Sequence, residues 1–181
     1  MADLSTARQS PPLALSSGAR LLPPASRFTL RGAAPVMAAA GAALGLNISD
    51  IACRSASNGQ WAALWLGPDE QLLLAPVAAG ETLSGQLRNA LSALPHSLVD
   101  MSHRQIAIEI SGPTAQTLLN AGCPLDLHIS AFPIGMCTRT LLGKADIVLW
   151  RTGDDSFHVE VWRSFADYVA RFLTEASREL A

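Results

Sequence analysis

The chain has little charge and almost no lysine. Of its 181 residues, 15% are charged, with one lysine beside twelve arginines, and the formal net charge is −2. No basic stripe or patch is present, which argues against nucleic acid as a partner. Apolar residues make up 49% of the chain, more than so few charges can cover, so we expect part of the apolar surface to meet another chain.

Long apolar runs and phosphate-binding motifs are also missing. No stretch approaches the roughly 20 apolar residues that cross a bilayer, and no basic and apolar leader opens the sequence. We therefore expect a cytoplasmic protein with no membrane partner. Neither G-x-G-x-x-G nor G-x-x-x-x-G-K-[ST] occurs, so the sequence predicts that this chain binds no nucleotide cofactor.

Cysteine is scarce and scattered. Cys53, Cys123 and Cys137 form no C-x-x-C pair, which excludes a disulfide framework. Together with His128, the last two suggest a zinc site, but their spacing fits no familiar finger and a fourth ligand is missing. We predict no metal site and interpret the three cysteines as small buried residues.

Residues 1–24 carry four prolines and are predicted to form an N-terminal arm without a helix or a central strand. Its leucines leave two alternatives open. The arm either lies along a surface, its own or a partner's, or is a disordered terminus. Under the first alternative, Pro11 and Leu13 are candidate interface residues.

The rest of the chain repeats one pattern twice. A short alternating strand stops at glycine and a proline opens a helix, first at residues 28–35 and again at residues 108–113. A hairpin of apolar strands and an amphipathic helix follow each time. We predict an α+β fold with antiparallel sheets, built of two related strand-helix-hairpin-helix halves, residues 25–103 and 104–181, packed as one unit. Ser164 and Asp167 predict a capping box at the start of the last helix.

Two further groups look reactive but are interpreted more simply. Asp100, Ser102 and His103 suggest a triad, yet no nucleophile motif surrounds them. Ser and Asp at a strand end usually bond the backbone of the turn, so we predict that local role. Lys144, the only lysine, has no identifiable carbonyl substrate, and we expect it to be exposed or ion-paired. The sequence thus predicts no catalytic and no cofactor-binding residue.

One strand of the second hairpin offers a candidate interface. Trp162 alternates with His158 and Glu160, opposite three apolar residues. A tryptophan on the polar side of a strand is typical of a protein interface. We therefore assign Trp162 and His158, with Pro11 and Leu13, as candidate interface residues.

Several segments carry a resemblance to known families. Five of them resemble the N-terminal domain of the folate-dependent aminomethyltransferases of glycine cleavage: residues 100–103 (Asp-Met-Ser-His), 108–113, 126–127, Gly135 and 146–151. Five are more closely similar to the gamma subunits of heterotetrameric sarcosine oxidases: residues 10–14, 123–127 (Cys-Pro-Leu-Asp-Leu), 132–133, 140–144 (Thr-Leu-Leu-Gly-Lys) and 163–168. The resemblance covers residues 8 to 178, loosely in the first half and specifically in the second.

The resemblance implies an accessory gamma subunit of an enzyme that oxidises sarcosine to glycine. Oxygen would accept the electrons and tetrahydrofolate the one-carbon unit. In that family FAD, FMN, NAD and the folate site belong to the alpha and beta subunits, and a small delta subunit completes the complex. An open alternative is a stand-alone folate-binding protein like the aminomethyltransferases.

The sequence departs from the aminomethyltransferases at one informative place. Where they carry two consecutive carboxylates, this chain has Ala145 and Asp146. Neighbouring side chains of a strand point to opposite faces, so Asp146 cannot replace the acid lost at Ala145. We therefore expect that the chain keeps the fold and has lost the catalysis.

Overall fold

The computed structural model describes residues 15 and 18–180. It divides into two compact units. The first unit is residues 25–102, and the second unit joins residues 103–180 to the described residues that precede Ala25. The prediction that the two halves pack as one unit remains a prediction.

Ten strands and four α-helices make up the described chain. They are β1 (Ala19–Leu21), β2 (Ala25–Gly32), α1 (Ala34–Leu44), β3 (Ser55–Ser57), β4 (Ala62–Gly67), β5 (Glu70–Pro76), α2 (Gly80–Ala90), β6 (His96–Asp100), β7 (Gln105–Ser111), α3 (Ala115–Asn120), β8 (Cys137–Leu142), β9 (Ala145–Gly153), β10 (Ser156–Trp162) and α4 (Ala166–Arg178). A single 3₁₀ turn leads into α2 and another into α4.

The first unit is a five-stranded antiparallel sheet in the order β3-β4-β5-β2-β6. Proline stands in the first turn of α1, where its missing N–H costs no hydrogen bond. The helix ends at Leu44, and its C-cap residue Gly45 has a φ of 63°, in the left-handed region. The apolar sides of α1 and α2 pack on one face of the sheet in a core that includes Leu30, Leu73 and Leu83, all fully buried.

The second unit repeats the arrangement in the order β1-β7-β10-β9-β8. Its core joins Ile108 of β7, Leu149 of β9 and Val159 of β10 to Val169 and Leu173 of α4. Alternation explains the burial, because Phe157, Val159 and Val161 are all completely buried along β10. The predicted fold class, α+β with two related strand-helix-hairpin-helix halves, is confirmed.

The edge strands belong to the two sheets in an unexpected way. Strand β1 directly precedes β2 in the chain but pairs with β7, whereas β6 directly precedes β7 but pairs with β2. The N-terminal arm thus supplies the edge strand β1 of the second unit's sheet, and β6 is the edge strand of the first unit's own sheet. Of the two alternatives for the N-terminal arm, Ala19–Leu21 follows the first, since it lies along the chain's own sheet.

The start of α4 differs from the expectation. The capping box of Ser164 and Asp167 is wrong, because the chain enters α4 through a 3₁₀ turn, Arg163–Phe165, and no side chain caps the helix. Among the described residues, no helix combines the length and apolar character needed to cross a bilayer.

Candidate functional site

The predicted sulfur and imidazole groups do not come together as a metal site. Cys123 Sγ lies 3.8 Å from Thr140 Oγ1, whereas the His128 ring bonds Ser130 Oγ at 2.7 Å. Cys137 is completely buried on β8. Within residues 15 and 18–180, no three His, Cys, Asp or Glu side chains are grouped to hold a metal ion.

The prediction of buried cysteines is correct for two of the three. Cys123 and Cys137 are buried, but Cys53 is half-buried in a turn with φ of 60°. The prediction is wrong for Cys53 because the connection between α1 and β3 runs along the surface there. All three are free thiols.

In the turn after β6 the predicted local role is confirmed for Asp100 and wrong for Ser102, whose side chain bonds strand β2. Ser102 donates its backbone N–H to Asp100 Oδ1 at 2.8 Å, and Ser102 Oγ accepts the backbone N–H of Arg27 at 2.9 Å. Asp100 thereby satisfies a backbone group of its own turn, whereas Ser102 fixes the turn to β2. The next residue, His103, is exposed and begins the second unit.

The turn before β9 and the first residues of that strand place no carboxylate on the buried face of the sheet. Lys144 is exposed and donates its backbone N–H to Tyr168 Oη at 3.0 Å. Ala145 is completely buried in the core of the second unit, whereas Asp146 points to the opposite face and is exposed. No acid therefore stands on the buried side at this point of the strand, and an imino or ring nitrogen placed there would have no carboxylate partner.

The turn is closely covered by aromatic residues of α4. Gly143 donates its N–H to the carbonyl of Gly122 at 2.9 Å. A Cβ at Gly122 would lie 2.5 Å from Phe172 Cζ. Tyr168 and Phe172 stack at 6.4 Å between ring centroids. The depression beside them, about 580 Å³, is lined by side chains of a single helix and its entry turn, so it offers no converging groups for chemistry.

The Arg151 side chain bonds four backbone carbonyls, a role that the sequence did not indicate. It is 3% exposed and donates to the carbonyls of Leu127 (2.8 Å), Phe132 (3.0 Å), Gly153 (3.2 Å) and Asp154. Its guanidinium thereby ties residues 121–136 and the hairpin turn to β9. The available signal was alternation, because Arg151 falls on the apolar face of its strand.

The polar face of β10 is closed at its centre and open at its end. Glu160 is completely buried, and its Oε1 is hydrogen-bonded to His158 Nε2 at 2.8 Å. The His158 ring lies 5.7 Å from that of Trp150. Trp162, at the strand's end, is 39% exposed. Sequence reasoning grouped Glu160 with an open face, but its cross-strand neighbours are buried as well.

A cation stands over the exposed tryptophan. The Arg104 guanidinium carbon lies 3.8 Å from the centroid of the Trp162 ring. No sequence signal relates these residues, because the pair forms only when β10 aligns with β7. Of the other candidate interface residues, Pro11 and Leu13 lie outside the described residues.

Comparison with solved structures first defines the class. A crystal structure of the glycine cleavage system aminomethyltransferase T from Bartonella henselae matches with a TM-score of 0.67 at 15% identity, covering 89% of this chain and 46% of that chain. At this identity the likeness shows the fold alone. The chain has the α+β fold of the aminomethyltransferases.

Comparison at the sequence level then defines the family. The model of the sarcosine oxidase, gamma subunit family matches residues 31–179. Sarcosine oxidase subunit gamma of Arthrobacter sp. is 37% identical over 150 residues, 83% of this chain and 71% of that protein. A chain of the heterotetrameric sarcosine oxidase from Corynebacterium sp. U-96, in complex with pyrrole 2-carboxylate, matches with a TM-score of 0.83 at 29% identity, covering 91% of this chain and 87% of that chain. The protein belongs to the sarcosine oxidase gamma subunit family, and the predicted resemblance is confirmed.

Proposed function

We propose that this chain is the accessory gamma subunit of a heterotetrameric sarcosine oxidase. The complex removes two electrons from the N-methyl group of sarcosine, reduces O2 to hydrogen peroxide and releases glycine. The one-carbon unit, at the oxidation level of formaldehyde, passes to tetrahydrofolate. Support comes from membership of the gamma subunit family over residues 31–179 and from the fold shared with a chain of a four-subunit oxidase.

The chain itself performs no step of this reaction. The observation that carries this proposal is the arrangement at the start of β9, where buried Ala145 and exposed Asp146 leave no acid on the inner side. A folate nitrogen needs a carboxylate within hydrogen-bond reach, on the correct face. The residues present here do not fit a folate site of the aminomethyltransferase kind.

The chemistry is therefore assigned to partner subunits. FAD, FMN, NAD and tetrahydrofolate bind to the alpha and beta subunits, and a delta subunit completes the complex. The proposal includes a cytoplasmic location, which the three free thiols support, because cysteines stay reduced in that compartment. Cell fractionation followed by detection of the tagged chain tests the location.

Co-expression tests the proposal directly. A tag on this chain should recover alpha, beta and delta subunits in equal amounts, with the visible absorption of bound flavin and peroxide formation from sarcosine. The chain purified alone should have no amine oxidase or aminomethyltransferase activity. Recovery of a stable chain with no affinity for the other subunits would contradict the proposal.

A second candidate is a stand-alone folate-binding protein, favoured only by the fold shared with the aminomethyltransferase from Bartonella. Calorimetric titration of the isolated chain with tetrahydrofolate separates the two. We expect no heat of binding, and micromolar binding would favour the second candidate.

A further inference from the structure

The end of β10 and the start of β7 form a rigid platform in the second unit. Trp162 pairs with Gln105 in the last rung between the two strands. The contact continues beyond that rung, because Arg163 donates its backbone N–H to the carbonyl of Arg104 at 2.8 Å and its Nε to that of His103 at 3.3 Å. The side chains of this strand end are thus presented by a fixed backbone.

One tryptophan and one arginine stand on this platform in a defined arrangement. Trp162 is 39% exposed, although a ring of this size is usually well buried. The Arg104 guanidinium lies over it at 3.8 Å, a cation–π contact that restrains both side chains before any partner arrives. We call Trp162, Arg104 and the adjoining His103 the tryptophan patch.

The patch carries the positive charge of Arg104. Its neighbours in the chain, His103 and Gln105, include no acid, and the formal net charge of the whole chain is −2. Among the described residues, Arg104 forms no ion pair. The contact with the ring uses none of its N–H donors in hydrogen bonds, so they can still bind a carboxylate in the forked geometry that arginine favours.

We propose that the tryptophan patch docks into an apolar recess edged with carboxylates on a partner subunit of the oxidase. This inference rests on the proposed function and adds the place and chemistry of the contact. A restrained tryptophan beside arginine has the composition of interface residues that carry most of the binding energy. The positive charge of Arg104 is complementary to an acidic rim.

A second copy of the chain fits the patch less well. A symmetric contact of two copies would bring the same patch against itself and place the two Arg104 charges in one interface. Like charges brought together in this way oppose association. A partner of different sequence avoids the repulsion.

Co-expressed complexes with variant gamma subunits test the inference. Trp162→Ala and Arg104→Glu should each raise the dissociation constant of this chain from the rest of the complex by about tenfold or more. Arg104→Gln should cause a smaller loss and reduce the dependence of affinity on NaCl concentration, since it removes the charge alone. Trp162→Phe keeps a ring and should retain part of the affinity.

Two exposed residues of the first unit provide matched controls. Ile51→Ala removes an apolar side chain that is 62% exposed, and Arg88→Gln removes one exposed charge. Both should assemble like the wild type. Circular dichroism and the thermal midpoint of each isolated variant establish that it is folded. If Trp162→Ala or Arg104→Glu does not fold, Trp162→Phe and Arg104→Gln provide the test.

The outcomes separate this inference from the proposed function. If the wild type assembles and the patch variants bind as tightly as the controls, the docking surface is wrong and the accessory role stands. If the wild type does not assemble, the proposed function fails, and the inference with it. Sedimentation that reveals a wild-type dimer, dissociated by Arg104→Glu, would assign the patch to a second copy and overturn the inference.

Discussion

The two units differ most in the connection between their first helix and their hairpin. In the first unit the exposed Asn58 ties this connection. Its Nδ2 donates to the carbonyl of Leu44 at 3.0 Å, and its Oδ1 accepts the N–H of Trp61 at 2.9 Å. In the second unit residues 121–136 contain neither helix nor strand, and the buried Arg151 ties them through backbone carbonyls.

The difference shows how one fold accommodates connections of unequal burial. An exposed loop has water to satisfy its carbonyls, so a single amide suffices to hold it. A loop whose carbonyls turn inward needs an internal donor for each, and a guanidinium can supply several from one side chain. We therefore expect equivalent substitutions in the two units to have very unequal effects.

The largest effect is expected from restoring an acid at the start of β9. Ala145→Asp places an unpaired carboxylate in the core and should lower the free energy of unfolding by about 3–5 kcal/mol. When Trp150 is aligned with Trp65, the corresponding position of the first unit is Gln60, which is exposed. Gln60→Asp should change stability by less than about 0.5 kcal/mol. Urea denaturation measures both.

The same variant also tests the loss of catalysis. Tetrahydrofolate titration of Ala145→Asp should give no binding, because one acid does not rebuild a site. A stable Ala145→Asp protein that binds folate would contradict the accessory role.

The next largest effect is expected at Arg151 and Asn58, whose side chains hold the two connections by hydrogen bonds. Arg151→Met leaves the buried carbonyls of Leu127 and Phe132 without donors and should cost about 3 kcal/mol or more of unfolding free energy. Asn58→Ala, at an exposed site, should cost about 1 kcal/mol. Thermal and urea unfolding provide the comparison. Equal losses at the two positions would show that burial does not distinguish the two ties.

In each unit a glycine follows the first helix, and substitution of that glycine should destabilise the two units for different reasons. A side chain at Gly122 would collide with Phe172, so Gly122→Ala should cost about 1–3 kcal/mol. Gly45 has room, but its φ of 63° is left-handed, so Gly45→Ala should cost about 1–2 kcal/mol. Asparagine separates the causes. It tolerates the left-handed region and should be better than alanine at Gly45, but it is larger and should be worse than alanine at Gly122.

The smallest effect is expected at the edge strand β1. Arg20 pairs with Glu109 of β7 through side chains that are 63% and 25% exposed. Arg20→Gln should cost about 0.2–1 kcal/mol, and the loss should shrink in 0.5 M NaCl, a concentration at which surface charges are well screened. Glu109→Gln is the matched variant, and the double variant should cost little more than either alone. A loss independent of salt would assign another role to Arg20.

Much of the fold could be predicted because its signals are local. Gly32 before Pro35 and Gly112 before Pro113 mark the same strand-to-helix step, and the hairpins and amphipathic helices follow within each half. The capping box at Ser164 was wrong for a nonlocal reason. Arg163 still donates its backbone N–H to the carbonyl of Arg104, at 2.8 Å, and residues 163–165 form a 3₁₀ turn rather than a helix cap.

The sequence indicated Trp162 of the tryptophan patch but not Arg104. Alternation along β10 indicated that Trp162 lies on the polar side, but nothing indicated Arg104 as its partner. Their contact depends on the register between two strands that are far apart in the chain. Glu160 shares the parity of Trp162 yet is completely buried, and the pattern of one strand cannot distinguish the centre of a sheet face from its end.

The amino-acid sequence by itself determined the repeated strand-helix-hairpin-helix order, the family and the placement of Ala145 and Asp146 on opposite faces, because backbone sterics and side-chain periodicity act over a few residues. Only the tertiary structure decided that β1 pairs with β7 and β6 with β2, that Arg151 serves a distant loop and that a cation covers Trp162. Those features join segments remote in the chain, and their free energy exists only once the strands have paired.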